Sequence, residues 1–159
     1  MLAGLGIAQL VAWGTLYYAI AILGQPMRRE LGLTEPELFG VFTWSLALSG
    51  LLARSAGKLV DRMGGRFVLA VSCGIGACGF ALLAGSTTWL GFTAAWTMHG
   101  IAMALGLYET CFATLAQVAP ANYRRSVTAV TLIAGFASTV AWPASHYLLR
   151  EMTWRGTCL

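Results

Sequence analysis

Residues 67–85 read FVLAVSCGIGACGFALLAG, nineteen positions without one charged side chain. As a helix rising about 1.5 Å per residue, such a run spans roughly 28 Å, close to the hydrocarbon thickness of a bilayer. Four further apolar runs accompany it, at residues 2–23, 38–59, 89–118 and 126–149. None shows the period-two alternation of a strand barrel, and helices are the other way to satisfy every backbone group in lipid. The expected fold is an all-α membrane protein: one bundle of five transmembrane helices over residues 1–159, with no flexible linker or low-complexity segment between them.

Composition agrees. The chain is 58% hydrophobic and only 10% charged, against roughly 25% charged in soluble domains. A net charge of +4 would admit nucleic acid, but the ten basic residues stand singly or in pairs at the ends of apolar runs. That pattern suits interfacial anchoring in a lipid bilayer, and no nucleic-acid partner is expected. Cys73, Cys78, Cys111 and Cys158 lie in or beside apolar runs without CxxC or histidine spacing, so no metal and no cofactor are expected. The first run lacks a basic leader and is too long for a signal-peptide core, which makes it a retained helix. A phosphate-cradling glycine loop and a nucleophile elbow are both missing from the sequence, so an enzyme is not expected.

The connections carry their own signals. Thr34 and Glu37 form a Ser/Thr-x-x-Glu capping box, with Pro36 in the first turn of the second helix. Residues 61–66 make a tight charged turn, and Pro120 with Asn122 separates the fourth helix from the fifth. On one side of the membrane the loops hold Lys58, Arg62, Arg66, Arg124 and Arg125; on the other, Arg28, Arg29, Arg150 and Arg155. Five against four favours a cytoplasmic N-terminus and a cytoplasmic 61–66 loop, for a multi-pass protein of an inner or plasma membrane. Small residues recur at Gly4, Ala8 and Ala12, at Ser45, Ser49, Ala53 and Gly57, and at Gly74, Gly76 and Gly79. Such stripes allow helices to approach closely.

The most specific stretch is Gly57-Lys58-Leu59-Val60-Asp61-Arg62-Met63-Gly64-Gly65-Arg66, joining the second and third runs. It resembles the loop signature of the major facilitator superfamily, Gly-x-Leu-x-Asp-Arg-x-Gly-x-Arg, at Gly57, Leu59, Asp61, Arg62, Gly64 and Arg66. Physically, Gly57 would admit a neighbouring helix, Gly64 would free the turn, and Asp61 with Arg62 and Arg66 could form a charge cluster. The resemblance implies a gating loop that latches the two halves of a transporter on the cytoplasmic side. It extends to the five-helix order, to Arg124 and Arg125, and to Trp154-Arg155-Gly156 where a sixth helix would begin. Tyr108, Glu109, Phe112 and Ala113 resemble the monocarboxylate-transporter-like branch, which implies a carboxylate-bearing solute.

The chain departs from the family twice. Trp96 stands where an arginine often precedes a glycine such as Gly100, and His99 where glutamine is common; the family's proton-coupling arginine therefore has no counterpart. The fifth helix has Trp142-Pro143 in place of Gly-Pro, which leaves an antiport mechanism unsupported and symport or uniport in view.

Several residues could serve a substrate or proton pathway. Glu109 is the one acid well inside a span, where an acid costs about 2.5–3.5 kcal/mol on the insertion scale. It could take a proton, a cationic group or an arginine, or be a hydrogen-bonded packing residue. His99 lies about 15 Å away along the same helix and is either a packing group or a proton carrier. Gln9, Trp13 and Tyr17 recur every four residues on the first helix, and Thr128, Thr131, Gly135, Ser138, Trp142 and Ser145 form a seam on the fifth. Both stripes suit a wet cavity or ties between helices. The family resemblance assigns Gln9, Trp13, Tyr17 and Glu109 to the central pathway. Arg54 lies near a helix end and can snorkel.

The expected whole is an incomplete N-terminal six-helix half of a major facilitator fold, truncated at the start of the sixth helix. Its partners would be the bilayer, a small organic solute and a missing C-terminal half, and alone it would not transport. A small membrane scaffold that binds other helices is the alternative.

Overall fold

The structure, a computed structural model, describes residues 2–159. Five helices long and apolar enough to cross a membrane account for most of them: α1 (Leu2–Leu31), α2 (Glu35–Met63), α3 (Gly65–Gly85), α4 (Trp89–Val118) and α5 (Pro120–Glu151). A short α6 (Trp154–Thr157) follows. The spans alternate in direction, so residues 61–66 and the α4–α5 connection share one end of the bundle, while residues 28–37 and α6 share the other. The described residues contain no strand.

Helix ends extend past the apolar runs because polar caps prolong them. Thr34 and Glu37 form the capping box: the Thr34 N–H donates to Glu37 Oε2 at 2.8 Å, and the Glu37 N–H to Thr34 Oγ1 at 3.4 Å. α2 therefore starts at Glu35, three residues before its apolar run. α1 continues past residue 23 to Leu31 and stops at Gly32, whose φ of 65° is the left-handed conformation that glycine adopts at helix ends. A short tight turn, Pro120–Asn122, leads into the fifth span as the sequence suggested.

α4 is the central helix; half of its apolar stretch is buried, the largest share of any span. It packs along α2 and α3, while α1 packs along α5. Phe92 and Trp96 fill the core with Met27, Leu38, Leu83 and Met103. Lipid is as apolar as these side chains, so tight packing and interhelical hydrogen bonds must supply the association. The closest approach to backbone is at Gly100, where a Cβ would stand 2.6 Å from the Ser45 carbonyl oxygen of α2.

The small-residue stripes are corrected in part. Gly57, Gly4 and Gly74 have no atom within 4 Å of where a Cβ would be, so none of them holds a helix–helix contact in the described structure. Gly65 takes the role expected of Gly57, since any side chain there would overlap Thr114 on α4. Gly64 behaves as expected, with φ 81° at the α2–α3 turn.

Candidate functional site

Three of the five spans are interrupted near their middles. In α1, residues Trp13–Tyr17 form a wider turn in which the Tyr18 N–H donates to the Trp13 carbonyl at 3.0 Å. α4 breaks between Gly106 and Tyr108, with Leu107 extended at ψ −164°. α5 breaks at Phe136, between segments ending at Gly135 and starting at Ala137. Wide turns and broken helices in membrane proteins concentrate where function needs irregular backbone, provided the freed polar groups are satisfied within the protein.

At the α4 break, side chains from α1, α3 and α4 itself hold nearby carbonyls. Gln9 Nε2 on α1 donates to the Gly106 carbonyl at 2.7 Å, Ser72 Oγ on α3 to the Ala102 carbonyl at 2.8 Å, and Thr110 Oγ1 to the Ala104 carbonyl at 3.1 Å. All three side chains are buried. Gly106 admits no side chain, because any Cβ there would overlap Ser72 Oγ. The break is thus held partly from α1 and α3 and partly from its own helix.

Beside it lies a half-exposed aromatic face. Trp13 packs at a tilt against Tyr17 (ring centroids 5.2 Å) and against Tyr108 (4.9 Å), and Tyr108 lies parallel to Phe112 at 5.1 Å. Tyr17 continues the cluster to Tyr18 at 5.3 Å and to Phe42 of α2 at 5.6 Å. Glu109 follows Tyr108 in the first turn of the second α4 segment and is exposed, on the open stripe that Ala116 shares. The positive end of a helix favours an acid at that position.

The residues expected in one pathway separate into three places. Trp13 meets both Tyr17 and Tyr108, and Tyr108 precedes Glu109 in the chain. Gln9 is 1% exposed and caps the break; it is not on the open face. His99 is fully buried on the α3 side of α4: its Nδ1 donates to the Ala95 carbonyl at 2.8 Å, and its ring packs edge-on to Phe80 at 4.5 Å and beside Trp96 at 5.1 Å. The α5 seam is turned outward, with Thr128, Thr131, Gly135 and Trp142 exposed and Ser138 and Ser145 half-exposed.

At the 61–66 end, Gln117 of α4 reaches the loop: its Nε2 donates to Asp61 Oδ1 at 3.1 Å and to the Val60 carbonyl at 3.4 Å. Among the described residues Asp61 is in no ion pair, and the bond it makes to α4 is this neutral tie to Gln117. Leu59 is half-buried, Arg62 and Arg54 are exposed, and Arg66 lines a shallow cavity with Leu5, Ala8 and Thr114.

The opposite end is fastened more firmly. Glu30 of α1 accepts from the Trp154 indole N–H and, at 2.9 Å, from Arg155 Nε; Arg155 also donates to the Ala84 carbonyl at the end of α3. The guanidinium lies 4.4 Å from the Trp154 ring centre. Burial pushes the Cys158 thiol up to about 11, against a smaller downward pull from Arg155.

The sequence reading missed Tyr18, Phe42, Ser72, Thr110 and Gln117. Ser72, Thr110 and Gln117 were visible as polar residues in apolar runs, but nothing local paired them. No protein-family model, no curated protein and no solved structure matches the chain. No group of three or more histidine, cysteine or acidic side chains able to hold a metal occurs among the described residues.

Proposed function

We propose that the chain is the N-terminal part of a secondary transporter of the major facilitator type, which moves a small organic solute by alternating access. In this reading a second half completes the pathway, residues 61–66 form the cytoplasmic gate, and the N-terminus is cytoplasmic. The observation that carries it is the pair of interruptions in α1 and α4, joined by Gln9 and Gly106 and flanked by the Trp13, Tyr17 and Tyr108 face. A broken helix with carbonyls held by neighbouring spans can keep an irregular backbone inside the membrane, where such transporters hold their solutes. The tie between Gln117 and Asp61 supports the gate, since it links the loop to the same helix that carries the break.

The scaffold reading draws on one observation. Gly40, Gly50 and Gly57 of α2 face open space, as a surface for another helix would.

Solute uptake into vesicles, with the product of the complete reading frame that encodes residues 1–159, separates the two. The transporter reading expects saturable uptake that falls about tenfold in Asp61→Asn, a loss equivalent to roughly 1.4 kcal/mol in the gating step. Uptake equal in the variant removes the gate; absence of uptake, with stable capture of a partner helix, favours the scaffold.

A further inference from the structure

We infer that the first segment of α1 (Leu2–Ala12), the second segment of α4 (Tyr108–Val118) and the first segment of α5 (Tyr123–Gly135) are one moving body, which pivots against the frame of α2 and α3 at the interruptions. Its use as part of a gate rests on the transporter reading, but the pivot itself can be measured without it.

The apolar packing divides along the breaks. One buried cluster joins Cys111 and Leu115 of α4 to Val130 of α5, with Leu5, Phe112 and Val127 packed against it. Every one of these residues belongs to the three segments. The larger cluster reaches Leu107 on α4, and none of its members lies within residues 2–11 or 108–135. Polar bonds mark the level where one cluster gives way to the other: Gln9 donates to the Gly106 carbonyl and Thr110 to the Ala104 carbonyl. Packed clusters shift between discrete arrangements rather than deform continuously. Two clusters joined through irregular backbone can therefore move against each other, as one continuous core cannot.

The pivots lie close in depth. Gly6 and Gly14 of α1 face Ile133 and Ala141 of α5, both pairings 127 positions apart, so Gln9 is level with Phe136, where α5 breaks. The bond from Gln9 to Gly106 puts the α4 break at that level too. The wide turn of α1 starts one turn further on, at Trp13. Inside the body α1 and α5 are close, since a Cβ at Gly6 would stand 2.6 Å from Ile133 Cδ1. Against the frame, the body is held at the 61–66 end by the bond from Gln117 to Asp61 and by Thr114 against Gly65. α2 and α3 pass the same depth unbroken. Rigid-body rocking would carry all the spans together. The divided core instead confines the motion to three half-helices.

The test is the distance between pairs of nitroxide labels, read by pulsed electron spin resonance on the full chain in lipid nanodiscs, with the four native cysteines changed to alanine. Pairs at exposed positions report the body alone (Ala116 with Leu132), the frame alone (Leu51 with Leu82) and one against the other (Leu132 with Leu82). Gln117→Leu cuts the exposed bond to Asp61 and leaves both clusters intact, so it should fold as wild type does. In that variant the Leu132–Leu82 distances should shift or split into two populations, while the other two pairs keep their wild-type distributions. Unchanged Leu132–Leu82 distances overturn the pivot, and an equal change within the Ala116–Leu132 pair overturns the single body. Amide exchange needs no cysteine change and is the second measurement. Val130→Ala removes two methyl groups from the smaller cluster and should quicken exchange in all three segments together, by about tenfold, with Trp89–Gly106 unaffected. Faster exchange in α5 alone, or equally throughout the bundle, overturns the assignment. A pivot without vesicle uptake keeps the moving body and removes its role as a gate. Asp61-dependent uptake with unchanged Leu132–Leu82 distances does the reverse.

Discussion

α2 and α3 run without interruption for 29 and 21 residues, whereas α1, α4 and α5 each break near the middle. The uninterrupted pair needs little from outside itself: Ser45 of α2 donates to its own helix, to the Phe42 carbonyl at 2.7 Å. Among the interrupted helices, α4 depends on its neighbours, borrowing Gln9 from α1 and Ser72 from α3. Regular spans give the bundle its frame. Irregular ones present the aromatic and acidic face at a depth where a regular helix would hide its backbone.

Perturbing the frame should have the largest effect. Gly100→Leu forces a side chain onto the α2 backbone at Ser45, and backbone has nowhere to move. A loss of about 3 kcal/mol or more is expected, at the upper end for overpacking, read as a large drop in thermal unfolding temperature in detergent. A variant that melts like wild type would show that the crossing of α2 and α4 is loose.

Removing a borrowed cap should cost less and act locally. Gln9→Leu leaves the Gly106 carbonyl unpaired in an apolar interior, at about 1–3 kcal/mol. Amide exchange at residues 107–110 should quicken, while α2 stays protected. Ser45→Ala is the matched control within a regular span, expected to stay within about 0.5 kcal/mol. If both substitutions cost the same, the distinction between self-sufficient and dependent helices fails.

The smallest effect lies outside both groups, at Cys158 beside the clamp of Glu30, Trp154 and Arg155. Only the thiolate reacts with maleimide, and with a thiol held at about 11 the rate should climb about tenfold per pH unit between roughly pH 8 and 10. A plateau below pH 9, measured with the other three cysteines changed to serine, would show that the C-terminal turn opens to water.

The sequence carried the frame well. The uncharged run at residues 67–85 alone required a membrane-length helix, and the capping box of Thr34 and Glu37 and the turn at Gly64 followed from local chemistry. Their causes are contained within a few residues. Glu109 stood out because an acid in an apolar run is costly wherever the fold puts it. Its aromatic neighbours did not stand out, because aromatic residues are ordinary in such runs.

What only the tertiary structure decided was where the helices break and what that brings together. Pro26 and Pro143 lie inside intact helical segments, while α4 breaks at Gly106 with no proline near it. The cause is a set of contacts with α1 and α3, across 97 and 30 residues of chain. The packing buried Gln9, set Trp13 against Tyr108, and left His99 in the core. Composition and periodicity establish how many helices cross. Packing between helices decides where the α4 backbone gives way, because polar partners that make its break tolerable in lipid come from α1 and α3.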